Sequence, residues 1–422
     1  MSKIIIKKSK PLTGEISVSG SKNSVLPIMA ATLLTKEECE ITEVPVLRDV
    51  NVMCKLLESV GSDVEGNFEN DSVKIKTEKI KSKETPYELV KMMRASVLAM
   101  GPILARTGSA KVPLPGGCAI GARPIDLHLK GFRALGAHVT VESGYIEAKA
   151  RKLKGSTVYL DQPSVGATEN ILMAAVLATG NTVIENAAKE PEIVDLASFL
   201  NKMGAKIKGA GTDNIRIEGV KELHGAKHAV IPDRIETGTF MLAAAITRGN
   251  LLIKNSVPDH VKPIIAKLTE CGVTVEDDIE GMRVNASKGK LKATDVKTLP
   301  YPGFPTDMQS QFMAFLSTVE GTSVVIETVF ENRYQQIGEL NRMGAEIKIE
   351  GRSAVIEGGC QLRGAEVVST DLRAGAALVL AGLAAKGETE ISEIYHIERG
   401  YSDLIDKLRK VGADIKKIES TS

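Results

Sequence analysis

One motif recurs six times along the chain, at intervals of 75, 68, 68, 72 and 68 residues, and it restricts the fold more than any other feature of the sequence. Each copy ends on a glycine: Gly61, Gly136, Gly204, Gly272, Gly344 and Gly412. Four positions earlier stand Leu57, Phe132, Leu200, Leu268, Leu340 and Leu408, and one position earlier Val60, Leu135, Met203, Cys271, Met343 and Val411. Three positions later come Val64, Val139, Ile207, Val275, Ile347 and Ile415. All of these sites are apolar in a chain that is 43% hydrophobic, so coincidence is excluded. The spacing predicts a helix whose inward stripe runs through the −4 and −1 positions. The glycine then ends it in the left-handed conformation, and a strand follows.

A second helical signal shares the period. It consists of short runs of small and apolar residues with few charges, such as Met173 to Leu177, Met241 to Ala245 and Ala376 to Leu380, which predict helices interior to their layer. Each repeat therefore supplies a buried helix, a half-exposed helix and several short strands. Neither terminal repeat has a polar capping face, which favours closure into two globules of three repeats over an open solenoid. The break falls near Ile231-Pro232-Asp233. The boundaries are then 22–231 for one domain and 1–21 plus 232–422 for the other, with the first strand (Lys3 to Ile6) completing the C-terminal globule.

Composition narrows the function. Lys plus Arg number 54 and Asp plus Glu 53, so a whole-protein basic field for nucleic acid is absent. The longest apolar run, Ala374 to Ala385, is too short to cross a membrane, and the N-terminus lacks a signal-peptide core, which reads as cytoplasmic. Five scattered cysteines without a Cys-x-x-Cys pair suggest neither a disulfide framework nor zinc. His224 and His228 have helical metal-pair spacing, but Gly225 lies between them and no third ligand is in view, so they read as surface residues.

Three features point to chemistry. Cys271 fills an apolar repeat position and reads as core, whereas Cys118 lies in a segment from Pro113 to Pro124 dense in proline and glycine, flanked only by Lys111 and Arg123. It is either an accessible, chemically useful thiol or an incidental loop cysteine. Lys22, Arg94 and Arg373 recur at the starts of apolar helices, where backbone N–H groups and a cation together suit an anion. Asp307, after two prolines and a glycine in Tyr301 to Gln309, reads by itself as a helix N-cap.

Six collinear motifs carry a resemblance. They are Ser21 to Ser24, Met93 to Ser96, Leu114 to His128, Ser164 to Thr168, Pro232 to Thr239 and Pro302 to Asp307. Together they resemble the enolpyruvyl transferases, in particular those that serve bacterial peptidoglycan synthesis. The resemblance implies an α/β fold, a two-domain inside-out α/β barrel of six βαβαββ repeats, three per domain, with the active site in the cleft between them. It implies transfer of the enolpyruvyl group of phosphoenolpyruvate to the 3′-hydroxyl of UDP-N-acetylglucosamine, with phosphate released by addition and elimination and no metal or organic cofactor. Carried over by motif, Cys118 would protonate the phosphoenolpyruvate methylene carbon and Asp307 would take the sugar hydroxyl proton. Lys22, Asn23, Arg123 and Arg399 would surround phosphoenolpyruvate. Asn23, Arg94, Arg123, Pro124, Ile125, Asp126, Leu127, Asp307 and Val329 would contact the nucleotide sugar, and Arg373 would be a further anion contact. Gln162 departs from the lysine that many members carry there. The competing readings are transfer to 3-phosphoshikimate, whose enzymes typically lack the Pro-Gly-Gly-Cys segment, and a non-catalytic ligand-binding paralogue. The sequence specifies no oligomeric state.

Overall fold

The computed structural model describes residues 2–67, 70–115 and 125–419. They divide into two compact units: a first built from residues 20–115 and 125–231, and a second from residues 2–19 and 232–419. Each has its own core of buried aliphatic residues.

The third repeat illustrates the plan. Strand Thr157–Tyr159 leads into helix Val165–Ala175, strand Asn181–Glu185, helix Pro191–Lys202, and strands Lys206–Lys208 and Asn214–Glu218. The first two strands pair in parallel, which requires a crossover that the apolar helix supplies, and the fourth inserts antiparallel between the second and third. Five sheets repeat this four-stranded order. The sixth has three strands, with one parallel bridge between Glu84 and Lys111 where the first strand would stand.

Three of these sheets are completed by distant chain. Lys3–Lys7 lies between Glu388–Ser392 and Ile415–Ile418 as the fourth strand of the last repeat, Thr13–Ser17 pairs with Asn250–Lys254, and Lys227–Ala229 pairs with Glu38–Thr42. Among the described residues none of the six sheets closes on itself. The barrel that the resemblance implied is therefore an arrangement of open sheets and buried helices, not a closed sheet.

The apolar runs form the interior helices. Arg234–Ile246 is buried from Ile235 onward, and Leu372–Ala384 from Arg373 to Leu383. Asp233 and Asp371 cap them: one carboxylate oxygen of Asp233 accepts from the N–H groups of Ile235 and Glu236, and one of Asp371 from Arg373 and Ala374. The other helix class is amphipathic. Arg48–Val60 buries Val52, Met53, Leu56, Leu57 and Val60 and leaves Asn51, Lys55 and Glu58 in solvent.

All six repeat glycines sit at φ between 88° and 112°, as the spacing predicts. The −4 and −1 residues are all buried, because the glycine turns the chain so that the helix stripe and the following strand face one core. Two of these glycines give a graded test within one unit. At Gly136 (φ 88°) an added Cβ meets nothing within 4 Å, whereas at Gly61 (φ 112°) it would lie 2.9 Å from the Lys79 carbonyl oxygen and the Lys81 nitrogen. Gly136→Ala should cost about 1–2 kcal/mol of backbone strain alone. Gly61→Ala should cost measurably more in urea unfolding, and equal costs would contradict this packing.

Among the described residues no helix is long and apolar enough to cross a membrane.

Candidate active site

The first unit carries Lys22, Asn23, Arg94, Ile125, Asp126 and Leu127. Lys22 opens helix Lys22–Ala31, and its ammonium nitrogen lies 2.8 Å from a carboxylate oxygen of Asp49. Asp49 stands in the first turn of the neighbouring Arg48–Val60 helix, and both side chains are nearly buried, so the ammonium group is held in one place. An anion arriving at Lys22 must share it with Asp49. Asn23 is half-buried, and Arg94, also half-buried, opens the 3-10 turn Arg94–Ala99 that leads into helix Met100–Thr107. Asp126 is exposed at the start of helix Asp126–Ala134, with Ile125 and Leu127 buried on either side. Cys118, Arg123 and Pro124 lie outside the described residues.

The second unit carries Asp307, Val329, Arg373 and Arg399. Asp307 is not the helix cap that its sequence context suggests. It lies inside the 3-10 turn Thr306–Met308, and helix Gln309–Leu316 starts beyond it. The carboxylate is gripped from two sides: one oxygen is 2.7 Å from Nη2 of Arg333 and the other 3.0 Å from Nη2 of Arg373. Both arginine side chains are buried, and Asp307 itself keeps 27% exposure.

Burial alone pushes the Asp307 carboxyl up. The guanidiniums of Arg333, Arg373 and Arg234 outweigh that and hold it far below the ordinary carboxylate range. Arg373 is correspondingly pushed up, the Asp307 charge outweighing its own burial. Arg373 thus enters the site first as a partner of Asp307, and whatever anion it meets is met as part of that pair. The turn Ile394–Arg399 packs on the start of the Arg373 helix. Gly400 permits this approach, since a Cβ there would lie 2.6 Å from the Leu372 side chain. Arg399, half-buried, closes that turn.

Arg333 and Asp49 were not legible as site residues. A buried arginine gives no sequence signal of its own, and the only hint was the pair of charges Glu331 and Arg333 a few residues beyond the strand Thr322–Ile326. The histidine reading needs correction as well. His224 is exposed, but His228 is buried, its Nε2 2.8 Å from Asp195 and its Nδ1 3.1 Å from the Lys202 ammonium. It is a satisfied core histidine on the strand Lys227–Ala229. Among the described residues no three His, Cys, Asp or Glu side chains are placed to hold a metal ion. Burial pushes the thiols of Cys39 and Cys54 up to about 11 and that of Cys271 up to about 12, so these three are poor proton donors near neutrality.

The profile of the family described as EPSP synthase (3-phosphoshikimate 1-carboxyvinyltransferase) matches residues 6–408. The chain belongs to this enolpyruvyl transferase family. Within it, the chain is 64% identical over 413 residues to UDP-N-acetylglucosamine 1-carboxyvinyltransferase 1 of Caldanaerobacter subterraneus subsp. tengcongensis, covering 98% of this chain and 99% of that one. It is 60% identical to UDP-N-acetylglucosamine 1-carboxyvinyltransferase 2 of Carboxydothermus hydrogenoformans, covering 99% and 100%. The enolpyruvyl transferase NikO from Streptomyces tendae shares the fold at a TM-score of 0.88 and 23% identity, covering 99% of both chains. An EPSP synthase from Acinetobacter baumannii does so at 0.77 and 20%, covering 99% of this chain and 100% of that one. This enolpyruvyl transferase is thus a two-unit α/β enzyme.

Proposed function

We propose that this enzyme transfers the enolpyruvyl group of phosphoenolpyruvate to the 3′-hydroxyl of UDP-N-acetylglucosamine, the first committed step of peptidoglycan synthesis, carried out in the cytoplasm. The observation that carries the reading is the near-full-length identity of 64% and 60% to two enzymes named for that acceptor, against 20% to an EPSP synthase.

In the addition step the sugar oxygen bonds to C2 of phosphoenolpyruvate while C3 takes a proton from Cys118, and Asp307 receives the hydroxyl proton. In the elimination step C3 returns a proton to the thiolate that Cys118 became in the addition, the C2–O bond to phosphate breaks, and inorganic phosphate leaves with the proton held by Asp307, restoring the alkene and both side chains. Lys22, Asn23, Arg123 and Arg399 bind phosphoenolpyruvate, as a trianion-like ligand demands. Asn23, Arg94, the segment Arg123 to Leu127, Asp307 and Val329 hold the nucleotide sugar. Asp307 suits this role as a fixed, ionised acceptor. Its pairing with two guanidiniums keeps it a weak base until an arriving hydroxyl displaces one of them.

Phosphate release tests the substrate assignment. With phosphoenolpyruvate present, release is expected with UDP-N-acetylglucosamine and not with shikimate 3-phosphate. Release with the second acceptor alone would transfer the enzyme to the sister reaction, and nucleotide-sugar binding without release from either would make it a non-catalytic paralogue.

A further inference from the structure

Glu327 follows the strand Thr322–Ile326 and is fully buried. Among the described residues its carboxylate is met by hydroxyls and backbone amides, not by a cation. One oxygen accepts from the Thr298 hydroxyl at 2.8 Å and from the N–H groups of Val329 at 2.8 Å and Phe330 at 3.2 Å. The other accepts from the Thr306 hydroxyl at 2.9 Å. A buried carboxylate costs several kcal/mol to desolvate and persists only with such a full set of donors. Its backbone is fixed too, since its N–H donates to the Tyr334 hydroxyl, which in turn donates to a backbone carbonyl.

The chain of bonds continues to the reacting carboxylate. The Thr306 hydroxyl spends its hydrogen on Glu327 and so presents a lone pair to Nη1 of Arg333, 2.9 Å away. The Nη2 of the same guanidinium is the group that grips Asp307. The planar fork lets one nitrogen fix the direction of the other. On its far side Glu327 consumes the Val329 N–H, so Val329 meets a ligand only through its carbonyl and its exposed side chain.

We propose that Glu327 is a positioning residue for enolpyruvyl transfer. One carboxylate oxygen aims Arg333, and through it Asp307, by way of Thr306, while the other shapes the Val329 loop that meets the nucleotide sugar. The proposal rests on the reading of Asp307 as the group that acts on the acceptor hydroxyl.

The two oxygens make the arms separable. In Glu327→Gln the amide oxygen keeps Thr298, Val329 and Phe330, while the NH2 turns a donor toward Thr306, which already receives one from Arg333. Thr306→Val breaks the same arm from its other end, keeping the Glu327 side chain but taking away the donor to its second oxygen. Each variant should lower kcat for phosphate release by about tenfold or more, the scale of one spoiled buried hydrogen bond, with KM for UDP-N-acetylglucosamine within about threefold of wild type. The double variant should be no slower than the worse single one, because both cut one line of bonds. Thr306→Ser, which restores the hydroxyl, should recover kcat. All rates are taken per nucleotide-sugar-binding site from calorimetric titration, so that a misfolded fraction does not count as slow enzyme.

Multiplying losses in the double variant, a loss confined to KM, or no recovery with serine would each overturn the proposal. Asp307→Ala is measured beside them. If it turns over normally, the reading of Asp307 fails and takes this proposal with it. If it is inactive while Glu327→Gln and Thr306→Val are normal, only the role of Glu327 fails.

Discussion

Replacing Cys118 by alanine is expected to abolish turnover while leaving UDP-N-acetylglucosamine binding within a few-fold of wild type. A proton donor to carbon must still hold its proton at neutral pH and release it readily in the transition state. A free thiol, with a reference pKa near 8.5, meets both conditions. Cys39, Cys54 and Cys271 do not, because burial lifts them to about 11 or 12 and packs them into cores. Cys360 is half-exposed, but its thiol donates to the Glu357 carbonyl at the end of the strand Ser353–Glu357. Losing a general acid typically lowers rates by about 10²–10⁴-fold. Stopped-flow phosphate release together with calorimetric titration of the nucleotide sugar separates the two effects. Turnover within a few-fold of wild type would remove the acid role from Cys118.

Asp307→Ala should be nearly as damaging to turnover, and for two reasons that need separating. It removes the proposed acceptor of the hydroxyl proton, and it strands two buried arginines. Breaking a fully buried ion pair costs about 3–5 kcal/mol, and the cost here should be less because Asp307 keeps 27% exposure. A lowered melting temperature is therefore expected alongside the kinetic loss. Asp307→Asn, which keeps an oxygen for one arginine, should regain part of the stability and none of the rate. Wild-type turnover in either variant would end the base assignment.

The same pairing sets the pH behaviour. The carboxyl is held below its unfolded value, so the ion pairs contribute fully at any pH above about 4 and are lost only as pH falls through the lower folded value. Asp307 should accordingly give no acid limb in kcat between pH 5 and 8. Arg373→Met, which leaves one guanidinium fewer, should move the acid limb upward. A wild-type acid limb within that window that shifts in Arg373→Met would contradict the double grip.

Properties that are local and repeated are legible in the chain. The apolar −4 and −1 positions, the terminating glycines and the charge-poor helices each follow from a few adjacent residues, and repetition at about seventy residues turned weak signals into a strong one. Properties that depend on which distant side chain arrives are not legible there. Asp307 resembled an N-cap because its neighbours Pro305, Thr306 and Met308 look like the entrance to a helix, and Arg333 and Arg373 are 26 and 66 residues away. His228 read as a surface residue because Gly225 lies between it and His224 and no third ligand is in view, yet Asp195, reached only when the strand Lys227–Ala229 joins its sheet, accepts its Nε2–H in the interior.

By itself, then, the sequence determined the repeat, the class of each helix and where it ends, because side-chain burial periodicity and glycine backbone freedom act within a turn or two of chain. Only the tertiary structure decided which strand completes which sheet and which charges are paired. Thr13–Ser17 lies more than two hundred residues from the strand it joins. Asp307 owes its ionised, immobile state to two guanidiniums, and Glu327 its burial to hydroxyls and amides, that only folding brings within 3.2 Å of them. Coulomb and hydrogen-bond energies depend on distance through space, which separation along the chain does not encode.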